Sequence, residues 1–487
     1  MKEKLTETSE YDSKRVNKFI NRNKKKPLII SFALVVSLMI FITMLFVCQD
    51  EKSKNILFKG FFFQSLQNHR VSNQNRTDED HTLITNINKN IEENNEKDKC
   101  ITYNENKTEC IDCDLGYKLY EGECIINYSF KAIYATKKRK ENIYLINYIP
   151  NDIIEMVVDG KEVKPCKNFT FEDKGKHIIY VLIDISSVES LSYMFYKINS
   201  LVSISFTEKF NTTKIKNMNY LFSFCSSMTN INLNQFDTRN VLDMSYMFSG
   251  CPLITNLDVS NFMTKNVVNM NSMFLGCSLL TSIDLSNFNT QNVMNMENMF
   301  YGYSNLNDIE LYSFNTDNVK YMDGMFYSCS SLISINISHF DVKNVVNMNN
   351  MFYGCSKLKE IYFSNLNTEN LIDMSFMFSG CSSLTSINFT NLKIVKLKYM
   401  IGTFYNCFSL TEVLLPSFSS DSLEDINGLF YGCSSLKSIN LNHFNSSNLR
   451  NVNYMFYGFS SLTSIDLSFF NYNKQLILIL FFMNVQI

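Results

Sequence analysis

The chain has 487 residues, with Lys+Arg 45 against Asp+Glu 47 and a formal net charge of −2. That balance argues against a nucleic-acid partner, because neutralising phosphates takes a concentrated Lys/Arg face, and His 5 in the whole chain is few for a metalloenzyme. Cys 14 and Met 24 are conspicuous instead, and most of them recur at a fixed interval.

Residues 1–27 form a basic tail containing Lys14, Arg15, Lys18, Arg22, Lys24, Lys25 and Lys26. Leu28 to Cys48 then runs without a charge, long enough as a helix to cross a hydrocarbon core of about 30 Å. The basic flank keeps the N-terminus in the cytoplasm by the positive-inside rule, and the bulky Phe46 and Val47 argue against a cleaved signal peptide. The expectation is an uncleaved signal anchor over 28–48, a lipid contact through one helix, and a single-pass protein whose remainder lies outside the cell. Eight N-x-S/T sequons beyond the apolar run agree: Asn75, Asn106, Asn127, Asn168, Asn211, Asn336, Asn388 and Asn445 are glycosylation candidates.

Residues 49–99 are polar and without sustained periodicity, which predicts a disordered stalk. A cysteine-rich module over 100–127 carries Cys100, Cys110, Cys113 and Cys124. In an extracellular segment too small for its own core, these read as two disulfides with three possible pairings; the C-x2-C spacing of Cys110 and Cys113 leaves zinc as the alternative. The run CIDCDLGYKLYEGEC resembles the cysteine-rich modules of growth-factor-receptor type on protist surface proteins. Residues 128–187, with the stretches FKAIYA, IYLINY, EMVVDG and HIIYVLID, predict a small β domain that caps the segment after it.

From 188 to 470 one phrase recurs. Its marker Phe stands at 195, 222, 248, 274, 300, 326, 352, 378, 404, 430 and 456, so that after one step of 27 every interval is 26. A period so strict predicts a solenoid in which each unit buries its apolar face against its neighbours. Three residues after the marker stand Cys225, Cys251, Cys277, Cys329, Cys355, Cys381, Cys407 and Cys433, but also Ile198, Tyr303 and Phe459. A column that accepts Ile and Phe is not a disulfide or metal column, so the cysteines are expected to be reduced and buried. Two Met columns, tolerant of Ile, Val and Leu, read as core filler for the same reason.

Within a unit, Leu280, Ile283 and Leu285 give the L-x-x-I-x-L pattern of a strand, and Val293, Met296, Met299 and Phe300 follow at spacings of three and four like one face of a short helical turn. The expected fold class is α/β: a leucine-rich-repeat-like solenoid with one strand and one short helical turn per 26-residue repeat. A column of Asn (Asn240, Asn266, Asn292, Asn318, Asn344, Asn370, Asn448) is expected to hydrogen-bond backbone of adjacent coils as buried amides. Residues 471–487 form a degenerate last repeat. The phrase VxNMxxMFxGCSxLxSIxLSxF closely resembles the BspA-like leucine-rich repeat surface proteins of bacteria, mycoplasmas and protists. That resemblance implies a leucine-rich-repeat fold on the cell surface and adhesive or host-interaction roles.

The outward residues of the expected strands supply ligand-binding candidates. Asp258, Asp284 and Glu310 are expected on successive strands about 4.8 Å apart, with Asp308 beside them, either as a solvated acidic strip or, where mutual repulsion is relieved, as a patch for a Ca2+ ion or a basic ligand. Tyr362 and Leu414 are candidate protein contacts. The chain has no H-E-x-x-H, G-x-S-x-G or phosphate loop, no cofactor is expected, and His339 and His443 recur only by repeat register. The expected function is adhesion to, or recognition of, extracellular proteins or glycans; the alternative is a passive coat without a specific ligand.

Overall fold

The computed structural model describes residues 100–103, 110–113, 116–120, 123–147, 153–363, 367–416, 422–441, 448–463 and 465. The basic tail 1–27, the apolar run 28–48, the stalk 49–99, Asn75, Asn106, Asn445 and the last repeat 471–487 lie outside them. The described residues form only short strands and turns, so the α/β class is corrected: their coils contain no helix. Among the described residues no helix is long and apolar enough to cross a membrane.

Two hairpin-like pairs open the described chain. β1 (Cys100–Tyr103) pairs antiparallel with β2 (Cys110–Cys113), setting Cys100 opposite Cys113, and β3 (Tyr117–Tyr120) pairs with β4 (Glu123–Ile126). The β domain follows with β5 (Phe130–Thr136), β6 (Glu141–Tyr144), β7 (Ile153–Val158), β8 (Lys161–Val163), β9 (Asn168–Phe171) and β10 (Gly175–Ile183). Its alternating residues are the cause: in β5, Phe130, Ala132 and Tyr134 are buried while the residues between are half-exposed. β11 (Leu201–Phe206) and β12 (Asn230–Asn232) belong to the first coils, yet they join the same sheet in the order β12-β11-β5-β10-β7-β8. The array thus begins by adding strands to the edge of its cap, β11 antiparallel to β5 and β12 parallel to β11.

Why the marker segment is not a helix is visible in the coil of Phe300. Met296, Asn298, Phe300 and Gly302 donate their N–H groups to Tyr321, Asp323, Met325 and Tyr327 of the next coil, while Met299, Tyr301 and Tyr303 donate three residues back within their own. An α-helix would send every N–H four residues back. Left-handed residues impose the alternation: Asn298 has φ 54° and Gly302 has φ 75°. The three-residue turns still place Val293, Met296, Met299 and Phe300 on one face, all buried, which is why the spacing imitates a helix.

The same pattern repeats in the neighbouring coils, and a single parallel bridge links each to the next, from Ser190–Asn217 through to Asp425–Asn451. Asn or Asp at this bridge position accepts the N–H two residues on, as Asn269 does from Asn271 at 3.1 Å and Asp373 from Ser375 at 2.8 Å. Inside, the marker rings from Phe195 to Phe430 stack with centroids 5.4 to 5.9 Å apart. Each buried Phe contributes about 1.5–3 kcal/mol by removal of apolar area from water.

The cysteine column has a second task. Cys251 Sγ donates to Phe222 O at 3.1 Å, and the other seven thiols make the equivalent bond at 3.0 to 3.3 Å. Since Phe222 O also accepts the N–H of Cys225, both lone pairs of the marker carbonyl are used. All eight are free and buried. Tyr303 enters this column with a buried hydroxyl that has no hydrogen-bond partner. A parallel device appears at Thr212, Thr238, Thr264, Thr290, Thr316 and Thr368: each buried hydroxyl donates to a carbonyl 25 residues on.

In the marker segment the backbone bonds between coils run N–H forward to C=O, so there the first coil presents acceptors with no coil before them. Asn147 meets them: its N–H donates to Met194 O at 2.9 Å, and its Nδ2 donates to Tyr193 O at 3.3 Å and to Tyr196 O.

Gly380→Ala is expected to lower stability in a urea titration by about 1–2 kcal/mol from φ alone, since its new Cβ would meet Gly354 Cα at an ordinary 3.5 Å. Gly250→Ala is expected to cost more, because the Cβ would sit 2.6 Å from the Phe224 ring. Thiol reagents on the native protein are expected to modify half-buried Cys166 first. The column should stay protected until urea unfolds it, with burial pushing Cys251 and Cys407 up to about 12. Rapid native labelling of Cys277 or Cys355 would contradict this packing.

Candidate functional site

The outward face is less uniform than a strand in every repeat. Strands recur at β13 (Ser334–Asn336), β14 (Glu360–Tyr362), β15 (Ser386–Asn388) and β16 (Glu412–Leu414), as two parallel pairs. Around Asp258, Asp284 and Glu310 there is no strand, which corrects the expectation of successive strands there. Facing is nevertheless preserved by side-chain pattern: Leu257 and Val259 are buried while Asp258 between them is exposed.

These carboxylates are occupied locally. Asp258 accepts from Ser260 N at 3.0 Å and Ser260 Oγ at 2.7 Å, and those bonds hold its carboxyl below the ordinary carboxylate range although Asp284 pushes the other way. Asp284 accepts from Ser286 N at 2.9 Å, the first cause of its own lowered value, and Asp308 accepts from Ile309 N at 2.9 Å. Glu310 is exposed. The repulsion that would favour a cation is therefore answered by hydroxyl and backbone donors, and among the described residues no group of three or more His, Cys, Asp or Glu is placed to hold a metal ion.

Tyr362 and Leu414 are 50% and 40% exposed. Each stands across its parallel pair from a sequon: Tyr362 opposite Asn336, Leu414 opposite Asn388. Asn336 Oδ1 accepts Ser338 N, and Asn388 Oδ1 accepts both Thr390 N and Thr390 Oγ1, so both amides are held by Asx turns that fix where Nδ2 points. Tyr362 donates its hydroxyl to Glu360 Oε2, which pushes the phenol up. Of the other described sequons, Asn168 and Asn211 are exposed and Asn127 is half-buried.

In the cysteine-rich module Cys113 is disulfide-bonded, which answers the zinc alternative for that residue. The Asn column does bond the preceding coil, as Asn292 Nδ2 to Lys265 O at 2.8 Å and Asn344 Nδ2 to Asp317 O at 2.6 Å, but it lies at the surface and is not buried. His339 Nε2 meets Leu311 O at 2.8 Å, a coil-to-coil brace of the same kind.

One constellation has no signal in the sequence. At the end of the cap sheet His177 Nδ1 lies 2.7 Å from Asp159 Oδ2 and Nε2 lies 3.0 Å from Thr136 Oγ1, with the Phe171 ring centred 3.9 Å away. The order Thr, His, Asp is that of a nucleophile relay. Thr136 is 4% exposed, however, and its hydroxyl donates to Asp173 O and Gly175 O, so the trio braces three connections of the sheet. These residues are far apart in the chain, and only the topology brings them together.

Over 66% of its length the chain is similar, at 19% identity and a TM-score of 0.33, to a leucine-rich repeat protein from Bacteroides ovatus ATCC 8483, of which 90% is covered. It is also similar, at 16% identity and a TM-score of 0.34, to a leucine rich cell surface protein from Faecalibacterium prausnitzii A2-165, over 59% of this chain and 77% of that one. No curated protein matches it. Residues 169–282, 252–362, 277–388, 331–414 and 372–484 each match the family described as Mycoplasma protein of unknown function, DUF285. Repeat after repeat over more than half of its length, the chain belongs to the DUF285 family.

Proposed function

We propose that the protein acts at the cell surface as a BspA-like repeat protein, adhering to extracellular proteins or glycans through the outward face of its array. The observation that supports this reading most is the exposure of Tyr362 and Leu414, apolar groups on two separate parallel strand pairs, each opposite an Asn. An aromatic or aliphatic anchor ringed by polar contacts is the arrangement that carries binding energy in protein interfaces. Placement outside the reducing cytosol is supported by the disulfide at Cys113. The outer positions between coils are mostly Ser, Asn and Thr, a neutral surface suited to many weak contacts strengthened by multivalency. The reading is of a binding protein, with no chemistry assigned to the array.

A specific observation also favours a passive coat. Sugars on Asn336 and Asn388 would stand directly beside Tyr362 and Leu414 and cover them. The two readings separate on arrays of glycans and matrix proteins probed with the full chain. Adhesion predicts a reproducible ligand whose binding falls about tenfold or more in the double variant Tyr362→Ala, Leu414→Ala. The coat predicts equal signals for both proteins; binding that appears only in Asn336→Gln, Asn388→Gln would identify the sugars as a mask.

A further inference from the structure

Carboxylates in the two half-buried polar columns near the bridge are met by amides from a neighbouring coil. Asn219 Nδ2 donates to Asp243 at 3.3 Å, Asn271 Nδ2 to Glu297 at 2.9 Å and Asn451 Nδ2 to Asp425 at 3.1 Å, and Asn349 donates to Asp373. Asp323 is the exception among the described residues. It is 9% exposed, and its Oδ2 is buried without a hydrogen-bond partner.

The cause lies in its own coil. Tyr321 occupies the bridge position where other coils carry Asn or Asp, so no Oδ1 is available to take the N–H of residue 323. The Asp323 carboxylate is left beside its own N–H, a weak compensation that does not offset its burial. In the one other coil with Tyr at the bridge, that of Tyr399, the residue two further on is Ile401, whose N–H goes to Ser375 Oγ at 3.1 Å and leaves no carboxylate behind. The groups facing Asp323 offer no donor. One coil before stands Glu297, whose Oε2 already takes the amides of Asn271 and Asn295 at 2.9 Å; one coil after, Asn349 gives its amide to Asp373, two coils away. Lys320 and Tyr321 on the same coil are exposed.

We propose that the Glu297–Asp323 step is a proton-operated seam in the array: a proton on Asp323 lets the two coils join, and its loss places two carboxylates against each other and loosens the junction. A proton is the occupant that fits, because it needs no volume in a packed coil. Burial first, then the charges of Glu297 and Asp373, push the Asp323 carboxyl from 3.8 up to about 7, in keeping with this assignment. An acid whose value is raised on folding binds its proton more tightly folded than unfolded. The stabilisation is full below 3.8, declines as pH rises through the interval to about 7, and is gone above it.

Hydrogen exchange on the full chain at about pH 5.5 and about pH 8.5, corrected for intrinsic rates, tests this. Protection of the Met296, Asn298 and Phe300 amides, which bridge this step, is expected to fall about tenfold or more at the higher pH, while the Tyr220 and Phe222 amides, which bridge the coils of Phe222 and Phe248, stay unchanged. In Asp323→Asn the fall should vanish, because the new amide restores the pattern of the other coils; Glu297→Gln should reduce it. An undiminished fall in Asp323→Asn, or no fall in the wild type, would overturn the proposal. Restoration of protection at high pH by added Ca2+ would also overturn it, replacing the proton by a cation.

Discussion

Everything in the array rests on how each coil divides its backbone N–H groups. In the marker segment alternate groups close three-residue turns inside the coil and the others reach the carbonyls of the next, while a residue just before the bridge donates to the coil before, as Met294 does to Val268 O. Neither set makes a helix or a long strand, yet together they give the successive N–H groups of the marker segment their partners, as from Met299 to Tyr303. Left-handed residues at two positions per coil keep the alternation in phase, which is why one of them is so often Gly. The rings, thiols and thioethers inside then supply the apolar burial that this thin hydrogen-bond lattice could not provide alone.

The side chains at repeat-specific positions are best understood as completing that lattice. Cys fills the second lone pair of the marker carbonyl, Thr ties a carbonyl 25 residues away, Asn or Asp at the bridge takes the N–H two residues on, and surface Asn reaches a carbonyl of the coil before. Short polar groups suit these positions because the carbonyls they reach lie one coil away, within 2.7 to 3.2 Å of the Thr hydroxyls. Irregularities follow from the same logic. Where Tyr303 replaces the thiol, a hydroxyl is stranded, and in the coil where Tyr321 replaces the bridge Asx, the Asp323 carboxylate is buried with one oxygen unpartnered.

Periodicity made much of this readable from the chain. The burial of the Cys and Met columns and the inward Phe residues follow from which residues share a column, because substitution within a column reports environment directly. Backbone conformation was not readable in that way. Val293, Met296, Met299 and Phe300 are spaced like a helical face, and a succession of turns buries the same residues, so spacing could not separate the two. The outward face was harder still: Asp258 and Asp284 look like a repulsive cluster until their serines are seen to hold them. The Thr136–His177–Asp159 brace depends on contacts 18 and 41 residues apart, for which a single sequence carries no marker.

Because the marker-segment donors between coils point toward higher numbers, that layer of the array has a direction, and Asn147 meets the acceptors of its first coil. Interior coils make no demand on that closure. A duplication or loss of one whole 26-residue unit would re-form the inter-coil bonds in phase, so the length of the array is open to change by recombination between units, whereas an insertion of another size has to be absorbed outside the marker segment, as the extra residue between Phe195 and Phe222 is.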